Sequence, residues 1–67
     1  MKLSNLLALM AYNDNIRVYM DGKPRIPSTD AEVYVGSVLQ SYKYPRLMKR
    51  SVTFFYAVRD DLYIFII

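Results

Sequence analysis

The last sixteen residues of this chain turn apolar side chains toward both faces of one hairpin, and in a chain of 67 residues that leaves few folds open. Val52, Phe54, Tyr56 and Val58 point one way, and Thr53, Phe55 and Ala57 the other. Beyond the polar connector Arg59-Asp60-Asp61, Leu62, Ile64 and Ile66 alternate with Tyr63, Phe65 and Ile67. One helix can cover only one face of such a sheet. A domain this small buries only about 60% of the surface its unfolded chain exposes, so little is left to cover the other face. The side chains Phe55, Tyr63, Phe65 and Ile67 therefore need a second copy, a different protein, or strong curvature of the sheet. A strand ending Phe65-Ile66-Ile67 without charge is also an invitation to pair with another chain. A homodimer or higher homo-oligomer through Phe55, Tyr63, Phe65 and Ile67 is the expectation, with a monomer of curled sheet as the alternative.

Upstream, Leu3, Leu6, Leu7 and Met10 recur at i, i+3, i+4 and i+7, the spacing of one helical face, and predict a helix over about residues 3–12. Asn13-Asp14-Asn15 then favours a turn, because short amide and carboxylate side chains hydrogen-bond nearby backbone. From Ile16 the period becomes two, with Ile16, Val18 and Met20 opposite Arg17 and Tyr19, which predicts a strand. Pro24 and Pro27 lack the amide hydrogen a ladder needs and predict an ordered loop over 21–30. Ala31, Val33 and Val35 alternate with Glu32 and Tyr34 in a second strand reaching Val38 and pairing with the first. Residues 39–51 show no period of two, and Pro45 fits the first position of a short helical turn over 45–50. The whole reads as a single α+β domain spanning 1–67. An N-terminal amphipathic helix packs on a small, mainly antiparallel, four-stranded curved sheet that ends in the hairpin.

Chemistry is constrained by what is missing. With no Cys and no His there are no disulfides, no thiol nucleophile, no zinc site of the usual ligand set and no imidazole base. The six acids fall mostly at predicted turns, and the two glycines stand too far apart for a phosphate-cradling loop. Neither catalysis nor a cofactor is expected. The run Leu6 to Ala11 is too short for a secretory signal. The longest apolar stretch, Leu62 to Ile67, falls far short of the roughly 20 residues a membrane span needs, so a cytoplasmic protein without membrane contact is expected.

The sharpest local feature is the segment 42–50, where Tyr42, Lys43, Tyr44, Arg46, Lys49 and Arg50 bring four of the nine cations together without an acid. Elsewhere six acids outweigh five cations. Cations interleaved with aromatics suit nucleic acid, where phosphates meet the charges and unstacked bases the rings. A nucleotide or an acidic protein surface is served equally. The plain alternative is a solvated loop pinned to the core by Leu47 and Met48. Leu3-Ser4-Asn5-Leu6-Leu7 also fits a groove-docking leucine pattern, but without those leucines the sheet has nothing to pack on.

The elements Lys2–Leu7, Asn13–Asn15, Ile16–Val18, Val33–Gly36 and Phe55–Ile66 together resemble a loose group of short phage and mobile-element proteins of Gram-positive bacteria. The loop over 22–29 and the basic segment depart from that pattern. The resemblance implies an accessory product that acts by stoichiometric binding to a bacterial host protein, in an anti-defence or anti-CRISPR-like role, within the host cytoplasm. The rival expectation is a nucleic-acid or nucleotide-signal binding module built on 42–50.

Overall fold

In the computed structural model the described residues are 1–20 and 29–67. In chain order they form α1 (Leu3–Leu7), β1 (Asn15–Tyr19), a 3-10 turn (Thr29–Ala31), β2 (Glu32–Ser37), α2 (Val38–Ser41), α3 (Pro45–Met48), β3 (Val52–Val58) and β4 (Asp61–Ile66). The fold is α+β with small helices on a four-stranded sheet. The loop expected over 21–30 lies outside the described residues except for its end in the 3-10 turn.

The sheet is mixed, which corrects the expectation of a mainly antiparallel one. Its strand order is β2-β1-β4-β3, and the two central strands, β1 and β4, run parallel with Ile16 beside Leu62 and Val18 beside Ile64. The outer pairs β1–β2 and β3–β4 are antiparallel. β1 thus takes the last strand as its second neighbour.

The first helix is also shorter than its apolar spacing suggests. Leu3, Leu6 and Leu7 are buried, but Leu9 is 82% exposed. The amides of Leu9 and Met10 reach back only three residues, to Leu6 and Leu7, and the Ala11 amide donates to Asp14 Oδ2 at 3.0 Å. The Asn-Asp-Asn turn thereby captures the amide that would have continued the helix.

One face of the sheet is aliphatic. Ile16, Val18, Ile64 and Ile66 are fully buried there beneath Leu3, Leu6 and Leu7 of α1, Val38 of α2 and Met48 of α3. In β2 the pleat turns Tyr34 toward this core and leaves Val33 and Val35 nearly half exposed. The Tyr34 hydroxyl donates to the Ser37 carbonyl at 2.6 Å, and a Cβ on Gly36 would lie 2.8 Å from the Tyr34 Oη. Glycine is what lets the ring cross that strand.

Past Ser37 the backbone leaves the sheet into α2, one residue before the expected end of the strand at Val38. Ser37 caps this helix by accepting from the Gln40 amide at 3.2 Å. The Val38 and Leu39 amides donate to the carbonyls of Asp14 and Tyr12, which anchors α2 to the connection before β1. Pro45 opens α3, in agreement with the short turn read from the sequence. Among the described residues no helix is long and apolar enough to cross a membrane.

The opposite face is aromatic. A register shift between Val52 and Phe54 puts Val52 opposite Ile66 but Phe54 opposite Phe65 and Tyr56 opposite Tyr63. The Thr53 hydroxyl donates to the Phe65 carbonyl at 3.2 Å within this irregularity. Strict alternation had grouped Phe55 with Tyr63 and Phe65; the register of the hairpin puts Phe55 on the aliphatic side, opposite Ile64, and the extra residue keeps Val52 on that side, opposite Ile66. Tyr19, Phe54, Tyr56, Tyr63 and Phe65 form the aromatic layer instead.

Candidate functional site

The basic segment divides between two surfaces. Tyr42 packs edge-on to Tyr12 at 6.5 Å and lines a shallow cleft beside the end of α1. Tyr44 packs against Tyr34, 5.7 Å between centroids. It lines a separate groove of about 260 Å³ with Arg46 and Arg50, over apolar surface from Met20, Val33 and Leu47. Lys43 and Lys49 are exposed and line neither surface. Of the six residues picked out in 42–50, the fold brings three to one groove.

Local structure explains the convergence. Pro45 starts the helix, so Leu47 and Met48 turn inward while Arg46 faces out. The Arg50 carbonyl accepts from the Leu3 amide at 2.9 Å, which fixes the segment's end against the start of α1. The irregular pairing between Val18 and Tyr19 frees Val33 from the ladder and exposes it to the groove. Met20 and Val33 are the two groove residues that sequence reasoning placed in strand patterns; Met20 follows the end of β1, and the bulge, invisible in a single sequence, redirects Val33.

The electrostatics favour an anion. Arg46 and Arg50 form no ion pair among the described residues, whereas Arg17 is held between Glu32 at 3.8 Å and Asp61 at 3.5 Å on the aromatic face. Burial pushes the Tyr34 phenol above the ordinary tyrosine range, with nearby Tyr44 adding to the shift and the Ser37 bond opposing it. The groove therefore offers two guanidinium groups, a phenol and an apolar floor. Lys23 and Arg25, candidates for extending this patch, lie outside the described residues.

The four residues expected at an oligomer interface are not one surface. Phe65 is 1% exposed, among Tyr19, Tyr56 and Phe54 at centroid distances of 5.6, 5.9 and 6.4 Å. Tyr63 is half buried and stacks on Tyr56 at 5.5 Å. Phe55 lies on the other face, 43% exposed, and Ile67 projects at the end of β4, 58% exposed, with its amide on the Ser51 carbonyl. Phe54 and Tyr56, which strict alternation assigned to the other side, accompany Tyr63 and Phe65. Among the described residues no three acids gather as a metal site would require.

The chain matches no family model, and no similar curated protein or solved structure was found.

Proposed function

We propose that this chain is a non-enzymatic binding protein of phage-accessory type, possessing an anti-defence role, that docks stoichiometrically on an acidic surface of a bacterial host protein and works as a homo-oligomer in the host cytoplasm. The observation that carries the docking is the groove where Tyr44, Arg46 and Arg50 meet over Met20, Val33 and Leu47, with neither guanidinium group in an ion pair among the described residues. Arginine and tyrosine are the side chains that most often anchor an interface, since they combine area with directional hydrogen bonds. The test is a comparison of tagged wild-type protein with Arg46→Glu/Arg50→Glu in host lysate. A partner retained in fixed ratio by the wild type, and at least tenfold less by the variant, supports the reading. Equal retention, or no partner at all, removes it.

A second reading is favoured by the exposure of Tyr42, Lys43, Tyr44, Arg46, Lys49 and Arg50 alike. A nucleic acid or nucleotide would place phosphates on the cations and stack bases on the rings. Counterion release then requires affinity to fall steeply with salt. Binding of a fluorescent single strand that is indifferent both to salt and to alanine at Lys43, Arg46, Lys49 and Arg50 excludes it.

A further inference from the structure

We infer that the occupant of the groove beside α3 is an extended peptide segment in which two carboxylates flank one large apolar side chain, in the order acid-apolar-acid. This deepens the docking part of the function proposed above and rests on it, narrowing an acidic surface to a linear segment of stated chemistry.

The two sides of the groove differ in kind. Both cations come from the helix side. The Lys49 cap is still right-handed helical and the Arg50 amide donates to the Leu47 carbonyl at 3.1 Å, so the turn continues far enough to put Arg50 one turn past Arg46. Residues so spaced have Cβ atoms about 5–6 Å apart. Met20 and Val33 come from the sheet side, where β1 has ended and β2 bulges, and they are 39% and 46% exposed. Leu47 lines the groove between them and packs on the core.

An extended segment matches this division, because its side chains alternate between two sides. Residues i and i+2 share one side at roughly 6.5 Å, within reach of two long arginines, and the residue between them points to the other. Carboxylates at i and i+2 then meet Arg46 and Arg50 while the middle side chain lies on Met20 and Val33. The groove, about 260 Å³, is smaller than the roughly 300–1,000 Å³ of sites that enclose a whole small molecule, and suits one large side chain. Charge complementarity selects the acids. Neither guanidinium is in an ion pair among the described residues, and the segment 42–50 holds four cations and no acid. Each guanidinium can take a carboxylate through two parallel hydrogen bonds. A nucleic-acid strand is served less well, since Tyr42 packs on Tyr12 at another surface and Lys43 and Lys49 line neither. The groove thus lacks the succession of rings and cations that tracks a strand.

The test is fluorescence anisotropy of labelled peptides titrated with the full chain. The probe carries Asp-Phe-Asp between glycines; comparison peptides replace its Phe by Ala or both Asp by Asn. The expected result is binding of the probe, at least tenfold weaker for each comparison peptide and for Arg46→Gln/Arg50→Gln. Val33→Ser should weaken the probe at least threefold. Lys43→Gln/Lys49→Gln, which removes the same charge outside the groove, should change it less than threefold. Circular dichroism checks folding, and Arg46→Glu/Arg50→Glu should take up a Lys-Phe-Lys peptide in place of the probe. Binding that ignores the Phe-to-Ala change, that falls equally in the lysine variant, or that single-stranded DNA displaces more readily than unlabelled probe does, overturns the inference. If no peptide binds while a host partner is still retained through Arg46 and Arg50, the linear segment is overturned and the docking on an acidic surface stands. If neither peptide nor partner binds, both fall.

Discussion

The two faces of the sheet solve the same burial problem with different materials. On the aliphatic face, branched side chains of β1 and β4 lie under three short helices, and Ile16, Val18, Ile64 and Ile66 reach complete burial. On the aromatic face the side chains are large enough to shield one another. Phe65, in a central strand, is surrounded by rings from β1 and β3, and Tyr19 stacks on both Tyr63 and Phe65 at 6.0 and 5.6 Å. A small chain with too few helices for two faces can thus bury part of the second with rings that stand beside each other. Exposed apolar surface is left at the strand edge, where Phe54, Phe55 and Val58 are each just over 40% exposed, and at the groove beside α3.

Truncating one residue of each face breaks this comparison most directly. Phe65→Ala should cost about 3–5 kcal/mol and Ile64→Ala about 2–5 kcal/mol in chemical denaturation, comparable losses from neighbouring residues on opposite faces. If Phe65→Ala were nearly silent, the aromatic layer would be surface rather than core. Gly36→Ala comes next, at about 1–3 kcal/mol, because its methyl group would displace the Tyr34 ring from beneath it. Adding Tyr34→Phe should recover part of that loss, since the contact is with the hydroxyl.

The tyrosines on the two sides give a pH signature. Burial pushes the Tyr19 phenol above the ordinary range, with Arg17 partly opposing, and Tyr34 is shifted the same way. A folded-state pKa raised above its unfolded value favours the neutral form in the native state. The associated stability is complete below about pH 10 and declines as pH climbs through the folded value. Denaturation midpoints should therefore fall above about pH 10, less steeply in Tyr19→Phe; identical alkaline slopes for wild type and variant would contradict the burial of that ring. The smallest effect belongs to Arg17→Ala. Its contacts to Glu32 and Asp61 are long and partly exposed, so the midpoint should barely move.

Much of this was legible in the sequence because it is local. The period of two located all four strands to within a residue or two, the leucine spacing located the start of α1, and Pro45 marked α3. The parallel pairing of β1 with β4 was not legible, because it joins residues more than forty positions apart and no turn encodes it. The two bulges were hidden for a related reason. Each inserts one residue into an otherwise regular alternation, and which residue is extra is decided by packing across the strands. The register set by the two-residue turn reassigns Phe55, the extra residue in β3 keeps Val52 beside Ile66, and the extra residue in β2 sends Val33 to the groove. The basic segment was legible as charge. Its division between the groove and the cleft beside Tyr12 was not, since that depends on where α1 stops.

Tyrosine nitration mapped by mass spectrometry over time tests most directly whether the aromatic face is internal and the groove is open. Tyr12, Tyr42 and Tyr44 should be modified first, Tyr34, Tyr56 and Tyr63 later, and Tyr19, only 4% exposed, last. Modification of Tyr19 as fast as Tyr44 in the folded protein would contradict the account.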